Sequence, residues 1–264
     1  MSGYLLASDF DGTLCRWENG GITNEDKEAV RRFRAAGNRF VLVTGRDYES
    51  TMSVLQEQDF WEMDSCFCMS SALCMDLSGN VIYDRRTKEG RVGEILRYFK
   101  DTGALYAVLQ VGKEGYNVDI GGMPLAMRTI SFAEGCKIPS ITNCNVKYET
   151  VEESVRRAEE ISRLFGDFVN PLLNNNNIDM PPAGVDKAGG VAYAAQMFQI
   201  PHENVYTVGD NLNDLSMVGA FHGRSMQSGP PALQDAAERT VSTICEIVDE
   251  LMGNMRQSDF ANLS

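Results

Sequence analysis

Two uninterrupted apolar runs, "YLLASDF" (residues 4–10) and "RFVLVTG" (residues 39–45), each followed by a segment of helical periodicity, constrain this chain more than any other feature. A strand that is apolar at nearly every position, not at every second one, must be covered on both faces, which is the situation of strands in a parallel sheet flanked by helices. The first helix is expected over residues 24–36, with Thr23 as N-cap and Gly37 as its stop, and the second over residues 47–57. Two such units in succession predict an α/β fold on a parallel sheet.

From "CFCMSSALCMDLSGNVIY" (residues 66–83) the pattern shortens to one strand and a hairpin turning at "SGN". A helix over residues 90–102 and alternating stretches at 105–111, 116–120 and 141–147 follow. Thr150 and Glu153 form a capping box for a helix reaching residue 165, and a further strand pair surrounds "NNNN" (174–177), read as a solvated turn. Strands interrupted by two helices suggest an α+β unit on an antiparallel sheet. After "PPAG" the α/β rhythm returns, with a helix over 186–199, the strand "NVYTVGD" and a helix over 214–220. The 264 residues therefore divide into one domain from 1–84 and 179–264, and a second, inserted domain at 85–178.

A formal charge of −13 without any basic run argues against a nucleic-acid footprint, and no apolar stretch approaches the ~18 residues of a membrane span. The N-terminal apolar run is cut off at Asp9 and lacks a basic flank, so a secretory signal is not expected and the cytoplasm is. Five of the seven cysteines (Cys66, Cys68, Cys74, Cys144, Cys245) lie in strand-like surroundings and read as reduced core thiols; Cys66, Cys68 and Cys74 lack the CxxC spacing of a zinc site. His202 and His222 lie in exposed-looking connections. No GxSxG or GxGxxG is present, so neither a serine hydrolase nor a dinucleotide site is supported. The expected partner is a small molecule.

Ligands of an open parallel sheet bind beyond the carboxyl ends of its strands. Three polar clusters stand there: "DFDGT" after the first strand, "TGR" after the second, and "GDNLND" after the strand at 204–208. Alternate residues face alike, so Asp9 and Asp11 can look toward one point, and two carboxylates so close demand a cation or a proton. With a third from Asp210 they suit magnesium. A carboxylate can also serve as a nucleophile toward phosphorus while its neighbour moves the proton. Each cluster alone is ordinary turn chemistry; Thr44 alone could cap a helix and Lys187 alone could be solvated. Their coincidence at sheet ends points to a site.

"DFDGTL" (9–14), "VTGR" (43–46), "GVDKAGG" (184–190) and "VGDNLNDLSM" (208–217) resemble the four motifs of haloacid-dehalogenase-type phosphatases, over the whole chain. The spacing is similar to the Cof-type subfamily, which includes sugar-phosphate phosphatases. The resemblance implies a Rossmann-like, doubly wound core with an inserted α+β cap domain that sets specificity. It implies Asp9 as nucleophile and Asp11 as general acid and base. Thr44 and the Gly45 amide would hold the phosphoryl oxygens, and Lys187 would neutralise developing charge. Mg²⁺ would bind the Asp9 carboxylate, the Asp11 main-chain carbonyl and the Asp210 carboxylate. Asp214 would lie behind these ligands and Asn213 near the phosphate or cap entrance; Arg46 would contact substrate or form an ion pair. Two places depart from the family pattern, "SSA" at 70–72 where relatives read "NGA", and "SMQSG" at 225–229 near a later "AMxNA". The implied activity is hydrolysis of small phosphorylated metabolites by a monomer or homodimer. A phosphohexomutase and a catalytically silent phosphometabolite-binding or regulatory protein are the alternatives. Tyr106, Tyr116, Met123 and Met127 read as cap core, any of which could instead line a leaving-group site.

Overall fold

The structure, a computed structural model, describes residues 3–261, with side chains described through residue 254. The chain opens with β1 (Leu5–Ser8), α1 (Asn24–Ala35), β2 (Arg39–Val43), α2 (Tyr48–Glu57) and β3 (Ser65–Cys68), followed by the antiparallel β4 (Leu73–Met75) and β5 (Val81–Asp84). The insertion comprises α3 (Val92–Asp101), β6 (Tyr106–Val111), β7 (Glu114–Asp119), β8 (Thr129–Ser131), α4 (Phe132–Gly135), β9 (Asn143–Lys147), α5 (Val151–Phe165), β10 (Leu172–Asn174) and β11 (Asn177–Met180). The return segment supplies α6 (Lys187–Met197), β12 (Val205–Gly209), α7 (Leu215–Ala220), β13 (His222–Met226), α8 (Pro231–Ala236), β14 (Arg239–Val241) and α9 (Ile244–Ala261).

One sheet runs in the order β14-β13-β12-β1-β2-β3-β4-β5, parallel from β14 through β3. Both faces of its central strands are covered, as their apolar runs require. Leu6, Phe40 and Leu42 pack with Ala29 and Phe33 of α1 and Ile247 and Val248 of α9, while Leu5, Ala7, Val41 and Val43 pack with Val191 and Ala194 of α6 and Met217 of α7. The order reverses between β1 and β12, which places a crevice beyond their carboxyl ends. Thr23 caps α1 by accepting from the Asp26 amide, as expected from the sequence.

The second sheet has the order β10-β11-β9-β6-β7-β8 and is antiparallel except for β7–β8. Ala107 and Leu109 of β6 and Cys144 and Val146 of β9 face Leu96 and Phe99 of α3 and Ile161 of α5. The alternate residues of these strands face away from the helices, toward the first sheet. The expected boundary between residues 178 and 179 falls inside β11, which continues to Met180 before Pro181 ends it. The short β8 and α4 had no sequence expectation, because three or four residues carry no readable period. All seven cysteines are free and Cys66, Cys68, Cys74, Cys144 and Cys245 are buried. Cys66 and Cys68 bring their sulfurs to 3.6 Å on one face of β3.

Candidate active site

Asp9 directly follows β1, and its amide donates to the Val208 carbonyl at 2.9 Å, tying the end of β1 to β12. Gly12 turns the loop with φ +79°, and a Cβ there would lie 2.2 Å from Asp210 Oδ2, so only glycine lets the backbone approach this carboxylate. Thr13 Oγ1 donates to Asp210 Oδ1 at 3.0 Å. The loop is anchored from behind by a buried ion pair, Arg16 Nη2 to Asp26 Oδ2 at 2.6 Å, with Arg16 Nη1 donating to the Thr13 carbonyl.

Lys187 opens α6, whose N-cap Asp186 accepts from the Gly189 amide. Its side chain is fully buried, and Nζ lies 2.5 Å from both Asp9 Oδ1 and Asp214 Oδ1. Asp214 Oδ2 accepts from the amides of Asp210 and Asn211 at 3.0 Å each, so Asp214 fixes both the lysine and the loop carrying Asp210. Asp9, Asp210 and Asp214 each bring an oxygen within 4.8 Å of the others. Burial, and then the charge of Asp214, pushes Asp9 well above the usual carboxylate range; the same causes push Asp210 up to about 6. Burial opposes the Lys187 charge, but Asp214 and Asp9 outweigh it and hold the ammonium protonated.

Asp11 stands apart from this cluster. Arg46 binds its carboxylate bidentately, Nε to Oδ2 at 2.5 Å and Nη2 to Oδ1 at 2.6 Å, and Trp17 Nε1 donates at 3.2 Å. The guanidinium lies over the rings of Phe10 and Trp17. Thr44 is buried at the end of β2, its hydroxyl accepting from the Arg46 amide at 3.1 Å.

Asp9, Asp11, Thr44, Arg46 and Asp210, with Gly45 and Asn213, border a cavity of about 540 Å³ whose other wall is the second sheet, while Lys187 and Asp214 are fully buried outside its lining. Val108 and Gln110 of β6, Asn143 and Asn145 of β9 and Asp179 of β11 share that wall, in register: Gln110 opposite Asn143, and Val108 opposite Asn145, which in turn faces Asp179. Asn145 Nδ2 donates to Asp179 Oδ1 at 2.6 Å. Burial raises Asp179 to about 6 despite that bond and the nearby Lys187 charge. The oxygens Gln110 Oε1, Asn143 Oδ1 and Asn213 Oδ1 are buried and have no partner among the described residues. The asparagine run does form a hairpin turn, with Asn175 at φ +55°, yet Asn174, Asn175 and Asn177 also line the cavity. Tyr106 and Met127 line it as well, whereas Met123 is exposed and Tyr116 bonds Glu114. Asp179, Gln110, Asn143 and Asn145 were not expected from the sequence; the signal was the alternate carboxamides of "NCNVK", with the single one in "YAVLQV" and the aspartate of "NIDM".

The family model for haloacid dehalogenase-like hydrolases matches residues 6–247. The chain belongs to this family. A Bacillus subtilis protein provisionally named a phosphatase is 26% identical over 254 residues, covering 88% of this chain and 90% of its own length. A phosphoglycolate phosphatase of Pyrobaculum aerophilum is 24% identical over 245 residues, covering 91% of this chain and 90% of its own. The fold is shared with a subclass IIB sugar phosphatase of the superfamily (TM-score 0.78, 20% identity, 95% of this chain and 98% of that one). This haloacid dehalogenase-like hydrolase thus has the α/β core of its family and phosphatase-named relatives, and the second sheet occupies the position of an inserted cap.

Proposed function

We propose that this protein is a magnesium-dependent phosphatase of small phosphorylated metabolites, sugar phosphates foremost, acting through an aspartyl phosphate on Asp9. The observation that carries this reading is the Lys187 ammonium buried between Asp9 and Asp214, behind the Asp9 carboxylate that lines the cavity, with Asp11 two residues along the chain lining it as well. The cavity is lined by five carboxylates (Asp9, Asp11, Asp47, Asp179, Asp210) and, among the described residues, by Arg46 as its one basic side chain, already paired. An anionic substrate entering it needs further positive charge.

The donor set fits a magnesium ion: hard carboxylate oxygens of Asp9, Asp210 and Asp214 converge within 4.8 Å of one another, and burial, then the charge of Asp214, disfavours the ionised forms of Asp9 and Asp210. The Asp9 and Asp210 carboxylates with the Asp11 main-chain carbonyl would hold it, leaving Asp214 to Lys187 and the two amides. Bound there, the ion would neutralise charge on the phosphoryl oxygens.

Lys187 favours the ionised form of Asp9 and aims one oxygen while the other attacks phosphorus. The Thr44 hydroxyl and Gly45 amide steady the phosphoryl oxygens. As the phosphorus–oxygen bond to the leaving group breaks, Asp11 gives that oxygen a proton. Asp11 then takes a proton from water, whose oxygen attacks phosphorus and releases Asp9 and inorganic phosphate. For this Asp11 must exchange its Arg46 partner for the substrate, and the exposed Trp17 ring beside the pair leaves room for that movement. The working location is the cytoplasm. Hydrolysis of para-nitrophenyl phosphate by wild type and Asp9→Asn, each with magnesium and with chelator, tests the proposal. Activity should require both Asp9 and metal; turnover by Asp9→Asn at a rate comparable to wild type would reject it.

A further inference from the structure

The wall facing the catalytic cluster differs in chemistry from the floor. Its polar groups are carboxamides, the Tyr106 hydroxyl, which donates to Asn177 Oδ1, and one carboxylate, with no lysine or arginine among the described residues that line it. Gln110 and Asn143, paired across β6 and β9, are 6% and 3% exposed and belong to this wall, and the carbonyl oxygen of each is buried without a partner among the described residues. Asp179 offers a further acceptor, and a Cβ placed on Gly45 would lie 3.8 Å from Asp179 Oδ2 and 3.9 Å from Asn213 Nδ2. Asp179 therefore sits across from the loop assigned to the phosphoryl group, where the first atoms of a leaving group would pass. Asp179 Oδ1 is taken by Asn145, and its Oδ2 faces the phosphoryl loop, so a ligand that engages it must bring a donor. Hydroxyl groups do so and can also receive the carboxamide N–H groups. A second anionic group would meet the Asp179 carboxylate with no basic side chain on this wall, among the described residues, to answer it, at a cost that low local dielectric amplifies.

Resting on the phosphatase reading, we propose that Asp179, together with Gln110, Asn143 and Asn145, is the specificity-determining group of the second sheet: it selects an uncharged, hydroxyl-rich leaving group carrying one phosphate, and rejects substrates whose tail bears a carboxylate or a second phosphate. The inference separates this chain from its relative named a phosphoglycolate phosphatase, whose named substrate carries a carboxylate. It also counts against the mutase alternative, whose hexose bisphosphate intermediate would place a second phosphate against this wall.

The test measures kcat/KM with magnesium for glucose 6-phosphate, sorbitol 6-phosphate, phosphoglycolate, fructose 1,6-bisphosphate and para-nitrophenyl phosphate, in wild type, Asp179→Asn and Asn143→Leu. The two monophosphates should exceed phosphoglycolate and the bisphosphate by at least tenfold. Asp179→Asn should lower the monophosphate values at least tenfold more than the para-nitrophenyl phosphate value, and narrow the gap to phosphoglycolate. Asn143→Leu should act in the same direction on the monophosphates. Wild-type preference for either anionic-tailed substrate would overturn the inference, as would equal losses in Asp179→Asn on every substrate. Calorimetric binding of glucose 6-phosphate and phosphoglycolate to Asp9→Asn reads the same order without turnover. If para-nitrophenyl phosphate is never hydrolysed, the phosphatase reading fails, while this binding order still decides the claim about the wall: tighter glucose 6-phosphate supports it and tighter phosphoglycolate overturns it.

Discussion

Replacing Lys187 with methionine should destabilise the protein mainly through charge, and the loss should depend on pH. Nζ lies 2.5 Å from each of two carboxylates in a side chain with no exposure, and Asp210 adds a third negative group nearby. Removing one member of a buried ion pair costs about 3–5 kcal/mol, because the remaining charge is left without compensation. Methionine retains most of the apolar stem, so little of that loss would come from a cavity. At ~2–4 °C per kcal/mol for a chain of this size, the unfolding temperature in chelator at pH 7.5 should fall by roughly 6–20 °C. At pH 5 the deficit should shrink, since Asp9 and Asp210, already raised, take up protons and relieve the repulsion. Magnesium should relieve it at pH 7.5 for the same reason. Turnover should fall by about a hundredfold or more, the ~3 kcal/mol typical of losing one preorganised electrostatic contact. Thermal melts of wild type and Lys187→Met at both pH values, with and without magnesium, read these effects. An equal deficit at pH 5 and 7.5, or none, would refute the argument that Lys187 compensates the carboxylates.

In wild type without metal, the raised carboxylates make the folded state bind protons that the unfolded chain has released. The contribution of Asp210 is therefore fully present below pH ~4 and lost as pH rises through about 6, on the order of 2 kcal/mol after allowing for its partial exposure, and that of Asp9 has the same sign. Urea midpoints should decline from pH 5 to pH 7.5 in chelator, and magnesium at ~100 times its Kd should return ~2.7 kcal/mol at the higher pH. Gly12→Ala, with its Cβ 2.2 Å from Asp210 Oδ2 at a left-handed φ, should shift the magnesium activation curve to higher concentration and lower kcat/KM at least tenfold. Ser71→Gly should stabilise by about 1 kcal/mol, raising the melting temperature by ~2–4 °C. Ser71 has φ +77° and a buried hydroxyl without a partner among the described residues, and relief of both exceeds glycine's greater chain entropy; a lower melting temperature would contradict this.

The core was legible because its signals are local. Continuous apolar runs identified β1 and β2, Thr23 announced the start of α1, and the motif residues stand at strand ends where the crevice of an open sheet must lie. Asp9, Asp210, Asp214 and Lys187 come together, and Thr44, Gly45, Arg46 and Asn213 border the same cavity. The wall of the second sheet was not legible, because a carboxamide in a short strand reads as a solvated residue until its neighbours are known. Asp179 shows this most clearly: its meaning comes from lying beside Asn145 and across from Gly45, contacts made by residues 34 and 134 positions away. Arg46 was ambiguous for the same reason, and its pairing with Asp11 depends on the turn that Gly12 permits. The strained "SSA" turn at 70–72 was visible only as a departure from the family pattern; three consecutive positive φ values at Met69, Ser70 and Ser71 give it a physical cost.

The central claim is that Asp9 becomes phosphorylated during turnover. Wild-type enzyme mixed with magnesium and para-nitrophenyl phosphate should be quenched in acid within the first turnovers, reduced with borohydride and digested, and the peptide carrying Asp9 sequenced by mass spectrometry. An acyl phosphate is reduced to an alcohol, so the account predicts homoserine at position 9 in wild type and none in a substrate-free control. Phosphate release with an unmodified Asp9, or with homoserine at Asp11 or Asp210 instead, would contradict it.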